Sequence, residues 1–130
     1  MAVSSFDENL RYLVADMKET MRAEHGVGLA APQIGHPVQV FVVEWQHIDL
    51  VVVNPVVELS GPMISAAEGC LSLPDAGYVV KRHQRATIKA FDAEGRQYRA
   101  QFDDFAARII QHELDHLFGI LIADRGMRVL

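Results

Sequence analysis

His112, Glu113 and His116 form an H-E-x-x-H pattern. On an α-helix a four-residue step advances about one turn, so the two imidazoles leave from one face and can converge on a single cation. Glu113, beside the first imidazole, is then placed to handle a proton near the cation instead of binding it. Such a pattern arises by chance in a chain of this length on the order of 1–2% of the time; the alternative is two packed or solvated helix histidines with Glu113 as a surface charge. A catalytic metal also needs a third protein ligand and one open position. Only 14 residues follow His116, with no His or Glu among them and Asp124 as the only carboxylate. Cys70, the only cysteine of the chain, lies 42 residues before His112, between Gly69 and Leu71. A thiolate with two neutral imidazoles is a coherent ligand set, although a lone thiol is most often a small buried hydrophobe.

These residues need elements to hold them. Leu10, Val14, Met17 and Met21, with Leu13 alongside, recur at helical spacing, which predicts an amphipathic helix starting near Phe6. Ser5 with Glu8 makes a capping box, Lys18 and Arg22 suit the far end, and Gly26 can stop the helix. This methionine stripe reads as core. From Val38 the β-branched runs VQVFVV and LVVV, with VV beyond Asn54 and Pro55, read as strands. The stretch from Leu59 to Gly77, rich in Gly, Pro and Ser, reads as mostly loop. ATIKAF and RQYRAQF flank the turn-forming DAEG, which predicts a hairpin. A last helix fits Asp104 to Phe118, with Asp103 as cap and Gly119 as terminator, and it carries the H-E-x-x-H pattern. Two helices around an antiparallel-leaning sheet make an α+β domain.

The chain has 130 residues, with 12 Lys and Arg against 17 Asp and Glu for a net charge of −5. That length suits one catalytic domain spanning residues 1–130. The acidic balance argues against nucleic acid as a direct ligand. No apolar run approaches the roughly 20 residues needed to span a membrane, and Asp7 and Glu8 stand where a secretory signal would be basic. Cytoplasmic residence is the expectation, and a lone cysteine permits no internal disulfide.

Three segments together carry a resemblance. GVGLAAPQIG (26–35), EGCLSLP (68–74) and QHELDH (111–116) resemble, in order and separation, the three signature motifs of peptide deformylases. The resemblance runs from the first helix to the last and implies an α+β deformylase fold. The implied reaction is hydrolytic removal of the N-formyl group from the initiator methionine of nascent polypeptides. It makes Cys70, His112 and His116 the ligands of one divalent ion, Fe(II) natively, with Zn(II), Ni(II) or Co(II) also accepted by such a set. Glu113 becomes the proton shuttle. The side-chain amide of Gln33 and the backbone N–H of Leu71 become donors to the oxyanion, and Gly28 keeps the backbone close to substrate.

By the same resemblance the peptide lies extended along the sheet edge with its methionine side chain in an apolar pocket. Val27, Phe105, Ile109 and the face of His112 are the candidate lining, with core packing an equal account of Phe105 and Ile109. Arg108 stands where the family usually carries an aliphatic residue; it is expected to swing to the pocket mouth and meet the peptide. Glu68 is implied to orient the Cys70 segment by pairing with Arg82. His25, His36, His47 and His83 are expected to be solvated. The chain resembles a minimal deformylase, short at both termini, of the kind a phage could encode for its host's cytoplasm. It is expected to act as a monomer on formylmethionyl chains at the ribosome. A zinc-dependent peptidase and a non-catalytic binder of formyl peptides are the competing functions.

Overall fold

The run VFVV in the second strand has no polar alternation because both faces of that strand are covered. The computed structural model describes residues 1–70, 73–120 and 127–128, and the side chains of all of these except 70, 73–77 and 127–128. Among them are two helices, α1 (Glu8–Ala23) and α2 (Asp104–Leu117). The strands are β1 (Gly28–Ala30), β2 (Val40–Trp45), β3 (Ile48–Cys70), β4 (Leu73–Phe91), β5 (Gln97–Asp103) and β6 (Met127–Arg128). The sheet order is β1-β2-β3-β4-β5 with every pairing antiparallel, and β6 joins β4 at Tyr78 and Val79. The expected α+β class and antiparallel sheet are what form.

On one face, Val40, Val42, Val53 and Leu29 pack against Leu10, Val14, Met17 and Met21 of α1. On the other, Phe41, Val43, Val52, Ala86 and Ile88 pack against Ala107, Ile109 and Ile110 of α2. Met17, Met21, Phe41 and Ile88 are fully buried, each contributing about 1.5–3 kcal/mol over its exposed state. The predicted methionine stripe is therefore core.

The cap of α1 is Asp7, not Ser5: its carboxylate accepts from Leu10 N–H at 3.1 Å, so the helix begins two residues later than the capping-box reading. Its end is a Schellman turn in which His25, not Gly26, takes the left-handed conformation (φ 56°), with Gly26 N–H bonded to the Met21 carbonyl at 2.9 Å. The end of α2 matches the sequence reading: Gly119 has φ 73° and Ile120 N–H reaches the Asp115 carbonyl at 2.9 Å.

The stretch 59–77 departs furthest from expectation. Its described residues are strand, pairing Leu59 with Ala86, Met63 with His83 and Glu68 with Tyr78 in one long β3–β4 ribbon. Gly61 (φ 78°) and Pro62 sit in a bulge between the Ser60 and Met63 pairs, where a proline removes no ladder bond. Residues 58–65 are exposed throughout, so alternation of apolar and polar residues, the usual strand signal, is absent from them. The DAEG hairpin forms as read: Asp92 N–H bonds the Arg96 carbonyl, and the Asp92 carboxylate accepts from the backbone of Glu94 and Arg96, all at 2.9 Å.

Candidate active site

α2 lies so deep that ten of its residues are buried, and six of those are polar or charged: Arg108, Gln111, His112, Glu113, Asp115 and His116. Buried polar groups must find partners inside the protein, and Arg108, Gln111, His112 and Asp115 find theirs on the β3–β4 ribbon. Gln111 continues the ladder of β4 with its side chain: Oε1 accepts from His83 N–H at 3.1 Å and Nε2 donates to the His83 carbonyl at 2.8 Å. Asp115 accepts from Arg82 Nη1 at 2.6 Å.

The helical spacing brings the imidazoles of His112 and His116 together, their Nε2 atoms 3.2 Å apart. One ligand atom from each of His112, Glu113 and His116 lies within 4.8 Å of the others. His112 Nδ1 lies 2.9 Å from Glu68 Oε1. Burial pushes the Glu68 carboxyl up, but hydrogen bonds from His112, Arg82 and Arg108 outweigh it and hold the pKa down at about 2. Glu68 is thus a carboxylate that can only accept, so Nδ1 of His112 carries a proton, and its Nε2 is the atom that faces His116. Two imidazole nitrogens converging beside a carboxylate, one fixed in tautomer by a second carboxylate, is a donor set that fits a divalent cation.

Glu113 is itself pinned. A Cβ on Gly28 would lie 2.9 Å from Glu113 Cγ and 3.1 Å from its Cδ and Oε1, so only glycine lets β1 approach the carboxylate this closely. The structure thus places Gly28 against Glu113. Beyond β1, a 3₁₀ turn (Ala31–Ile34) places Gln33, whose Oε1 accepts from Ala30 N–H at 2.8 Å. That bond fixes which end of the amide is the acceptor and leaves Nε2 as the donor end.

A cavity of about 480 Å³ joins these parts. Val27, Gly28, Gln33, Phe105, Arg108, Ile109, His112 and Glu113 all line it, so it gathers eight of the eleven residues assigned from sequence to metal, catalysis or substrate, and His116 meets His112. Leu71 lies outside the described residues, as does the side chain of Cys70, whose backbone pairs with Leu73 at the end of the ribbon. Val27 is 37% exposed and Phe105 47%, with Phe105 tilted on Trp45 at a centroid distance of 4.9 Å. Phe105 is thus a rim residue, not core, whereas Ile109 both lines the cavity and packs in the core.

Arg108 does not swing to the mouth; it is 7% exposed, and its guanidinium donates to Glu68 and to the carbonyls of Val80 and Ile64. Helical periodicity placed Arg108 on the right face, but its partners lie on strands distant in sequence. His25 is exposed, as expected, and also borders the cavity, next in sequence to the first signature segment. Glu68 and Arg82 pair as implied, through two contacts of 3.0 Å.

An antiparallel sheet carrying a convergent His-Glu-His helix beside a neutral amide donor and an apolar cavity defines a metal-dependent hydrolase. The family model described as polypeptide deformylase matches residues 1–129. Among curated relatives, the peptide deformylase of Dictyoglomus turgidum is 44% identical over 96% of this chain and 82% of its own length. That of Heliobacterium modesticaldum is 48% identical over 95% and 82%. The crystal structure of peptide deformylase from Thermotoga maritima superposes with TM-score 0.92 at 40% identity, covering 95% of this chain and 85% of that one. An Acinetobacter baumannii peptide deformylase with Met-Ala-Ser bound gives 0.92 at 35% identity, over 96% and 88%. This chain belongs to the polypeptide deformylase family, and its activity is the removal of N-formyl groups from nascent peptides. No helix among the described residues is long and apolar enough to cross a membrane.

Proposed function

We propose that residues 1–130 act as one catalytic domain in which Cys70, His112 and His116 hold a divalent ion, Fe(II) natively, while Glu113 and Gln33 carry the proton and charge traffic of deformylation. The observation that carries this reading is the convergence of two imidazoles, one fixed in tautomer by Glu68, beside a Glu113 that Gly28 keeps in place. The metal, when bound, lowers the pKa of water toward about 7 and polarises the formyl carbonyl.

Glu113 takes a proton from the attacking water and returns it to the departing amine nitrogen. Gln33 Nε2–H and the backbone N–H of Leu71 donate to the oxyanion that develops on the formyl oxygen. Gln33 suits this because its other end is already committed to Ala30, so the amide need not reorganise as charge develops. Val27, Phe105 and Ile109 supply apolar wall for the methionine side chain. The cramped space beside Gly28 and Glu113 admits hydrogen and disfavours the methyl of an acetyl group.

The substrates are formylmethionyl chains, met in the cytoplasm as they leave the ribosome, and the protein acts as a monomer. The deciding experiment is anaerobic purification, metal analysis and assay on formyl-Met-Ala-Ser, acetyl-Met-Ala-Ser and an unblocked peptide. One equivalent of metal with formate released only from the formyl peptide supports the reading. Internal cleavage of the unblocked peptide would make the protein a peptidase, and formyl-peptide binding without formate release would make it a binder; either overturns it.

A further inference from the structure

Glu68 has four acceptor positions on its two oxygens, and all four are filled. Oε1 takes Arg82 Nη2 at 3.0 Å and His112 Nδ1 at 2.9 Å. Oε2 takes Arg82 Nε at 3.0 Å and Arg108 Nη1. Arg82 also serves Asp115, so its position answers to two carboxylates. Arg108 instead grips Glu68 together with the carbonyls of Val80 on β4, at 3.0 Å, and Ile64 on β3. One guanidinium from α2 therefore ties both strands of the ribbon to the carboxylate that orients His112.

We propose that Arg108 is a positioning residue for the deformylase reaction, acting through Glu68 on the ring of His112. The proposal rests on the assignment of His112 as a metal ligand. An aliphatic side chain at this position would leave one lobe of a buried carboxylate and two strand carbonyls, those of Val80 and Ile64, without the donor they now have. Glu68, released on that side, would let the His112 ring rock about its helix.

The charge of Arg108 makes a separable prediction. Glu68 and Asp115 against Arg82 and Arg108 leave the network neutral. A cation beside the metal site repels the metal, so if charge alone mattered, neutralising Arg108 would strengthen metal retention. A positioning role gives the opposite sign.

The test uses zinc-loaded wild type, Arg108→Met, Arg108→Lys, Arg108→Gln, Glu68→Gln and the Arg108→Met/Glu68→Gln double variant. It measures the rate of zinc transfer to an excess of chelator, with kcat and KM on formyl-Met-Ala-Ser. Arg108→Met is expected to release zinc about tenfold faster, the low end of the effect of disturbing the carboxylate partner of a metal-bound imidazole, with the activity loss in kcat and not KM. Arg108→Lys should recover part of this, and Arg108→Met should add little once Glu68 is Gln. Should Arg108→Met fail to fold, the order of zinc release, wild type slowest, then Lys, then Gln, carries the same test. Zinc held as long or longer without Arg108, a loss confined to KM, or independent effects of Arg108→Met and Glu68→Gln would overturn the proposal. A wild type that binds no zinc would instead remove the ligand assignment beneath it.

Discussion

Replacing Gly28 with alanine should cut turnover while leaving the protein folded. The added Cβ would sit 2.9 Å from Glu113 Cγ and 3.1 Å from Cδ and Oε1. Carbon contacts are comfortable at about 3.5–4.0 Å, so Glu113 must retreat by roughly half an ångström to one ångström. It is only 4% exposed, so the retreat pushes on packed neighbours. Overpacking of this kind costs about 1–3 kcal/mol, offset by about 0.4–1 kcal/mol from the stiffer unfolded chain. The net loss should be on the order of 1 kcal/mol, a shift in Tm of a few degrees for a chain this size. Turnover should suffer more, because misplacing a reacting group by about 1 Å can cost 10²-fold. We expect kcat for formyl-Met-Ala-Ser to fall about 10- to 100-fold at matched metal content, with KM close to wild type because the apolar wall is untouched. A folded, metal-loaded Gly28→Ala enzyme with wild-type kcat would refute the argument that this close approach fixes Glu113.

Glu113→Ala should keep its metal and lose nearly all turnover, since the imidazoles are undisturbed while the proton carrier is gone; near wild-type activity would remove Glu113 from the mechanism. Gln33→Glu keeps an acceptor for Ala30 N–H but replaces the amide donor with charge, so kcat should drop about 10²–10³-fold with a small change in Tm. A rate within twofold of wild type would exclude an oxyanion role. Glu68, with its pKa held at about 2 against an ordinary 4.5, stabilises the fold above about pH 4.5 and loses that contribution as pH falls through 2. At about 1.4 kcal/mol per unit the depression corresponds to about 3 kcal/mol. Urea melts of metal-free wild type and Glu68→Gln should therefore differ most at neutral pH and converge near pH 2. An unchanged gap would contradict the linkage.

What the sequence disclosed follows from the range over which each signal acts. The H-E-x-x-H pattern, the α1 core stripe, the DAEG hairpin and the Gly119 stop are local, and each stands where it was read. Asp7 is the cap instead of Ser5 because both offer an oxygen within three residues of the helix start, and Asp7 is the one whose carboxylate meets the Leu10 N–H. The stretch 59–77 reads as loop because its glycines, prolines and serines are loop formers by composition, and its residues up to Ser65, exposed in the structure, give no periodic apolar signal. The direction of Arg108 was missed for a related reason: periodicity tells which face a side chain leaves from, but Ile64, Glu68 and Val80 lie 44, 40 and 28 residues away.

These two misreadings share a cause. A ribbon exposed over much of its length gains little from hydrophobic burial, so its own composition cannot specify it. It is held instead by what α2 offers. Gln111 extends the β4 ladder at His83, Asp115 anchors Arg82, and Arg108 reaches Ile64, Val80 and Glu68. Every one of these contacts joins a buried polar residue of α2 to residues 61–83. The dependence also runs the other way, because those helix residues would be unsatisfied polar groups in the interior if the ribbon were displaced, each costing about 1–3 kcal/mol. Helix and ribbon therefore specify each other, and the orientation of His112 is a product of their docking. A substitution in the ribbon far from the cavity, such as one that removes the bulge at Gly61, should on this argument be felt first in metal retention and only later in global stability.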